Sequence, residues 1–362
     1  MYPRNFEMIN GAEAIARGAL DAGCDFFAGY PITPASGILT HMLRELPKVG
    51  GVGIQGEDEI SSIGHCLGAA AAGATALTAS SGPGLSLYSE NIGLALMMEL
   101  PLVIVIAQRL GPSTGAATAT SQGDIQFMRW CTSGGYPVIV LAPSNIPESY
   151  HLTIRAFKLA RRYRSPVFLA TDKDTVLTTV SVTAEDMQKS PAWPEIPETA
   201  AREALRPFKQ GGNRIHFTGS SHTKAGFITK DPYILAEQNE GLSTKIEDCK
   251  DISLVKADLQ NAETLILSYG ISANSMEAAK NTIRSKGDKV SILTIYSLWP
   301  IPEKDILTSM KGIKRIIIPE LNLGQYRREL ERFIPPGIEI KGLNRVDGLL
   351  IPPADILKVF YG

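Results

Sequence analysis

The chain has 362 residues, 44% of them hydrophobic and 20% charged, which excludes a disordered polypeptide and allows two or three domains with substantial cores. Lys and Arg number 36 against 37 Asp and Glu, a formal net charge of -1, so no global basic field exists to hold nucleic acid or an anionic membrane. The four cysteines, Cys24, Cys66, Cys131 and Cys249, lie far apart with no C-x-x-C. This spacing argues against a zinc or iron–sulfur site held by this chain alone and reads as reduced core thiols.

The opening residues Met1-Tyr2-Pro3-Arg4-Asn5 carry no apolar signal core, and with the isolated cysteines the expectation is a cytoplasmic chain. Small residues predict a helix over 13–22. A short apolar run over 25–30 breaks at Pro31, and 34–46 is helical again. The uncharged stretch 60–89 is long enough to span a bilayer. It is rich in Gly, Ala, Ser and Thr and is broken by Ser81-Gly82-Pro83-Gly84. That predicts a helix over 59–72, a strand over 74–79, a loop and a helix over 85–98, not a membrane segment. Apolar, β-branched runs follow at 101–107, 137–142 and 165–171, with a helix over 146–161 between the last two. Continuous apolar strands separated by helices predict a parallel sheet covered on both faces.

From 184 to 241 the sequence is Pro-rich, polar and aperiodic, with Pro191, Pro194, Pro197, Pro207 and Gly211-Gly212, and reads as a linker or extended excursion. Alternation resumes with strands at 263–268, 290–295 and 315–319 and helices at 275–286 and 324–333. The expected architecture is therefore α/β throughout: a first domain over 1–182, a linker over 183–255 and a smaller α/β domain over 256–362.

In open parallel sheets, ligands sit beyond the carboxyl ends of the strands. Three loops of the first domain fall there. In Gly29-Tyr30-Pro31-Ile32-Thr33-Pro34 two prolines fix the backbone, and Thr33 reads either as a helix N-cap or as a hydroxyl offered to a ligand. In Gly56-Glu57-Asp58-Glu59 the acids complement a helix dipole or cap it. Glu59, directly before Ile60, Ile63 and Leu67, lies close to the buried face, a costly place for an unpartnered carboxylate. In Ala107-Gln108-Arg109 the strand ends in an Arg that either offers its planar fork to a carboxylate or pairs with solvent or a structural acid.

Other signals are absent. Gly51-Val52-Gly53-Ile54-Gln55-Gly56 matches G-x-G-x-x-G by letter, but no apolar strand precedes it and acids follow, so it reads as a chance match. No Walker sequence and no G-x-S-x-G elbow occur. The five histidines show no metal spacing, and His65 reads as a buried structural residue of an Ala-rich helix.

Together these loops resemble the alpha subunit of 2-oxoacid:ferredoxin oxidoreductases. The resemblance rests on Gly29-Tyr30-Pro31-Ile32-Thr33-Pro34, Glu57-Asp58-Glu59, Thr78-Ala79-Ser80-Ser81-Gly82-Pro83-Gly84 and Gln108-Arg109 with Gly111-Pro112-Ser113-Thr114-Gly115. It extends through Ser121-Gln122-Gly123-Asp124, Ala142-Pro143-Ser144, Ser221-His222-Thr223, Asp231-Pro232 and Glu320-Leu321-Asn322-Leu323-Gly324-Gln325. The Gln-Arg-x-Gly-Pro-Ser-Thr-Gly stretch is more similar to the 2-oxoglutarate branch.

The resemblance implies a pyrimidine-binding domain of the thiamine-diphosphate type followed by a transketolase C-terminal-like domain. It further implies oxidative decarboxylation of a 2-oxoacid to acyl-CoA and carbon dioxide, or the reverse carboxylation, with ferredoxin as electron partner and coenzyme A as co-substrate. Thiamine diphosphate would be shared with a beta subunit carrying its diphosphate, Mg2+ and an iron–sulfur cluster, expected as [4Fe-4S], with gamma and ferredoxin-like delta subunits as further partners. No metal is expected on this chain, in keeping with the missing G-D-G and missing cysteine cluster. By position, Glu59 is the catalytic residue and meets N1′ of the aminopyrimidine, with Pro31, Ser81 and Gly82 beside the cofactor. Thr33 and Arg109, with Tyr30, Ser113 and Thr114, are the substrate-binding positions. A branched-chain or aryl 2-oxoacid as substrate and a non-catalytic structural subunit remain open alternatives. A lone dinucleotide-binding oxidoreductase is disfavoured by the misplaced glycine fingerprint.

Overall fold

A computed structural model describes residues 6–189, 191–196, 218–247 and 250–362. The first half runs β1 (Phe6–Asn10), α1 (Gly11–Asp21), β2 (Phe26–Gly29), α2 (Ser36–Glu45), β3 (Val52–Gln55), α3 (Glu59–Ala71), β4 (Ala76–Ser80), α4 (Gly82–Met97), β5 (Leu102–Gln108), α5 (Ile125–Arg129), β6 (Ile139–Leu141), α6 (Ile146–Tyr163) and β7 (Pro166–Asp172). It closes with α7 (Lys173–Leu177), β8 (Thr179–Thr183) and α8 (Ala184–Gln188). After α9 (Pro232–Glu247) the second half runs β9 (Val255–Asp258), β10 (Thr264–Ser268), α10 (Ser272–Ser285), β11 (Ser291–Ile295), β12 (Ser297–Trp299), α11 (Glu303–Ser309), β13 (Arg315–Glu320), α12 (Gln325–Leu330), β14 (Glu339–Asn344) and α13 (Pro353–Tyr361).

Seven strands form the main sheet in the order β12-β6-β7-β5-β4-β2-β3, parallel except for β12, which lies antiparallel on β6. Five form the second, β14-β13-β10-β11-β9, with β9 antiparallel. Every residue of β5 and of β7 is buried, which is why these strands read as unbroken apolar runs: helices cover both faces. On one face Ile104 and Ile106 pack with Ile63, Leu85 and Tyr88; on the other Val103 and Val105 pack with Ile15, Leu152 and Phe157. The first of these cores continues into the second half through Leu265, Leu267, Leu293 and Trp299.

A polar lock adds direction to that apolar contact. Gln122 donates its backbone N–H to the Leu321 carbonyl at 2.9 Å and its side-chain amide N–H to the Tyr269 carbonyl at 3.0 Å. Its Oε1 accepts from the Ser272 hydroxyl at 2.8 Å and the Leu321 N–H at 3.1 Å. Gln325 donates to the Gly123 carbonyl at 2.6 Å, and Asn322 to the Gln122 carbonyl at 2.8 Å. A buried amide bonded through both its oxygen and its nitrogen in this way favours one geometry.

Gly51-Val52-Gly53-Ile54-Gln55-Gly56 is a chance match, as expected: it is itself the edge strand β3 with its flanking glycines. Several other expectations need correction. The span expected as an extended excursion contains the 16-residue helix α9. Only Leu242 and Ile246 of it are buried, so its apolar periodicity is a single i,i+4 pair. Within the same span Trp193 packs against Tyr296 at 5.3 Å between ring centroids, and Pro194 accepts from Arg155 at 2.7 Å. Pro197, Pro207 and Gly211-Gly212 lie outside the described residues. His65 is exposed, not buried: Ser62, Ile63, Cys66 and Leu67 turn α3 towards the sheet, leaving Gly64, His65 and Gly68 on the opposite face. Cys24, Cys66 and Cys131 are buried free thiols, and burial pushes Cys66 and Cys131 up to about 12.

Candidate active site

The chain runs from β2 outward to β3, then crosses back to place β4 on the other side of β2. Strand order thus reverses between β2 and β4, the place where open α/β sheets bind ligands beyond the carboxyl ends of their strands. The loops ending β2, β3, β4 and β5 surround it.

At the start of α3 the neighbouring acids Asp58 and Glu59 have separate tasks. Asp58 is the N-cap: its carboxylate accepts from the Ser61 N–H at 2.7 Å, and its own N–H donates to the Ser61 hydroxyl at 3.2 Å. The cap being filled, Glu59 is free to turn inward, where it is only 6% exposed. There it meets α4. A Cβ built on Gly84 would stand 2.7 Å from Glu59 Cγ, 3.0 Å from its Oε1 and 1.9 Å from Ser80 Oγ. Glycine at 84 is therefore a condition for the carboxylate's position. Ser80 Oγ and Ser81 Oγ are both buried there without a protein partner.

Thr33 does not cap α2. The N-cap is Ala35, with no side-chain hydrogen bond, and Thr33 is exposed, so the capping alternative falls. Arg109, 7% exposed, extends from β5. It donates through Nη1 to the Thr33 carbonyl at 2.6 Å and through Nη2 to the Thr114 carbonyl at 3.1 Å. Its Nε is buried and unpaired. The guanidinium thus holds the loops after β2 and β5 together through neutral acceptors. Tyr30, Pro31, Thr33, Ser113 and Thr114 form an exposed rim, while Glu59, Ser81 and Arg109 are buried.

Asp124 belongs to the same place, although as a polar loop residue it carries no chemical signal of its own in the sequence. Its backbone N–H donates to Gln108 Oε1 at 3.1 Å. A Cβ on Gly82 would come within 2.8 and 2.9 Å of its two carboxylate oxygens, so it lies against the first turn of α4. Oδ2 is buried with no partner. Burial pushes its carboxyl up to about 6, against the opposing pull of Arg109.

Such an arrangement defines an α/β cofactor-binding subunit whose strand-end site offers one buried carboxylate and one clamped guanidinium. Residues 17–240 match the family model described as pyruvate flavodoxin/ferredoxin oxidoreductase, thiamine diphosphate-binding, and 262–356 match pyruvate:ferredoxin oxidoreductase core domain II. The chain belongs to this family of thiamine-diphosphate-dependent oxidoreductases. It is 38% identical to 2-oxoglutarate synthase subunit KorA of Methanocaldococcus jannaschii, over 98% of this chain and 99% of that one. It is 34% identical to ketoisovalerate oxidoreductase subunit VorB of Methanothermobacter thermautotrophicus, over 97% and 96%. Among solved structures, 2-oxoglutarate:ferredoxin oxidoreductase from Magnetococcus marinus, with 2-oxoglutarate, coenzyme A and succinyl-CoA bound, superposes with a TM-score of 0.89 at 27% identity. That match covers 100% of this chain and 66% of that one. The expected fold and family therefore stand.

The residues present suit the pyrimidine end of the cofactor. Gly82 and Gly84 leave room that a Cβ would fill, and the serine hydroxyls beside Glu59 await polar partners. Gly84→Ala, which forces Glu59 aside by about 1 Å, is expected to lower kcat of the assembled enzyme by about 10²-fold. Steady-state rates with thiamine diphosphate saturating check this; an unchanged kcat counts against the importance of that contact. Among the described residues no helix is long and apolar enough to cross a membrane.

Proposed function

We propose that the chain is the alpha subunit of a 2-oxoglutarate:ferredoxin oxidoreductase. The observation that carries this reading is Glu59, buried by its own helix cap and held against Gly84 at the reversal point of the sheet. The higher identity to 2-oxoglutarate synthase subunits than to the ketoisovalerate one supports the substrate.

When bound, thiamine diphosphate supplies a carbon nucleophile and an electron sink for decarboxylation of the 2-oxoacid. This chain's residues prepare that chemistry. Glu59 holds a proton at the aminopyrimidine ring nitrogen, in a position where water is excluded. Arg109, already fixed by two backbone carbonyls, presents its remaining N–H groups to the substrate carboxylate, and its orientation is settled before the substrate arrives. Thr33 and Tyr30 border the substrate from the β2 loop, Ser113 and Thr114 from the β5 loop; Pro31, Ser81 and Gly82 line the cofactor side.

In this reading the pyrimidine-binding domain is 1–182, the connecting segment 183–255 and the transketolase-like domain 256–362. The exposed rim is closed by a beta subunit, which brings the diphosphate site, Mg2+ and an iron–sulfur cluster. Gamma and delta subunits, a ferredoxin acceptor, coenzyme A as acyl acceptor and a cytoplasmic location complete the proposal.

The test is a panel of 2-oxoacids with the purified native complex, following dye or ferredoxin reduction dependent on coenzyme A. The expected outcome is the highest kcat/KM for 2-oxoglutarate. A tenfold preference for a branched-chain or aryl 2-oxoacid overturns the substrate assignment.

A further inference from the structure

We propose that Asp124 is a proton-coupled specificity residue of this site: the anionic substrate and the Asp124 carboxylate compete for the same two positive sources, so that substrate binds together with a proton taken up by Asp124. The proposal rests on the reading that Arg109 receives a substrate carboxylate.

The two sources are visible around Asp124. One is Arg109 at the end of β5, whose charge pulls against the effect of burial on the Asp124 carboxyl. The other is the first turn of α4, against which both carboxylate oxygens lie at Gly82. That helix runs 16 residues and its N-cap, Ser81, makes no side-chain capping bond, so its positive end is not satisfied from within. Gln108 contacts the Asp124 backbone, and Gln325 of the second half holds the adjoining Gly123 carbonyl. Glu59 stands against Gly84, two residues further along α4. Oδ2, buried and unpaired, is the atom that receives the proton, which comes from solvent.

Without substrate, Arg109 and the α4 terminus offset burial only in part, which leaves the Asp124 carboxyl up at about 6 and ionised at neutral pH. A carboxylate arriving at Arg109 removes part of that compensation and adds a like charge at close range. Both changes favour the neutral acid. Binding and protonation are therefore linked, and affinity for an anionic substrate falls as pH rises through and above the carboxyl's free-enzyme value. The lock between Gln122, Asn322 and Gln325 keeps the 121–126 segment in place while this happens.

The experiment compares the native complex with Asp124→Asn at about pH 6 and about pH 8. In the wild type, KM for 2-oxoglutarate is expected to rise about tenfold across that interval; in Asp124→Asn it changes by less than about twofold. The same slope in both proteins overturns the proposal. Titration calorimetry on the wild-type complex, in buffers of different ionisation enthalpy and with glutarate as an unreactive dicarboxylate probe, keeps the test independent of the variant. Uptake of roughly 0.5–1 proton per site near pH 7 is expected, and binding with no uptake overturns the proposal alone. If glutarate does not bind and Arg109→Lys leaves KM for 2-oxoglutarate unchanged, the substrate-site reading falls with it.

Discussion

Glu59→Gln in the assembled complex is expected to lower 2-oxoacid-dependent electron transfer by about 10²–10⁴-fold, the range for losing a positioned acid–base group. The substitution keeps size and hydrogen-bonding reach and removes only the ability to exchange a proton. It also leaves the Asp58–Ser61 cap untouched, so helix α3 and subunit assembly should be unaffected. Single-turnover decarboxylation, read as carbon dioxide released without electron acceptor, separates a failure of this step from a failure of later electron transfer. Wild-type-like turnover in the variant would remove the basis of the proposed function.

The second large effect is expected at Arg109. Its fork reaches two carbonyls on different loops, at Thr33 and Thr114, and a lysine ammonium cannot reproduce that planar span. Arg109→Lys should therefore reduce kcat/KM for the 2-oxoacid by about 10²-fold, mainly through KM, since each charge-assisted bond is worth roughly 1.5–3 kcal/mol. The carbonyls left behind should also loosen the 111–115 segment, readable as faster amide exchange there. A kcat/KM within threefold of wild type in this variant contradicts substrate contact by the guanidinium.

Much of this architecture is legible from the residues, for identifiable reasons. Strands β5 and β7 announce themselves because burial on both faces demands uninterrupted apolar side chains. Glu59 stands out because an acid at the head of an apolar helix has to be explained. Strand β12 does not stand out: three residues, Ser297–Trp299, are too few to carry a period. Asp124 looks like any polar loop residue, because its environment is made by elements distant in sequence, with Gln325 holding the adjoining Gly123. His65 misleads because an Ala-rich helix gives no sign of which side faces the sheet. Arg109 stands out as a charge at a strand end and by the family resemblance; that neutral carbonyls from two loops hold it depends on how those loops fold over each other.

The short strand β12 has an evolutionary corollary. It belongs to the C-terminal half in sequence yet finishes the outer border of the N-terminal sheet, antiparallel on β6. The halves are therefore not interchangeable modules. A foreign C-terminal half grafted onto this N-terminal one would have to supply its own matching tripeptide, or leave Ile139–Leu141 as an unprotected margin open to pairing with other molecules. Exchanging both halves together keeps that margin covered.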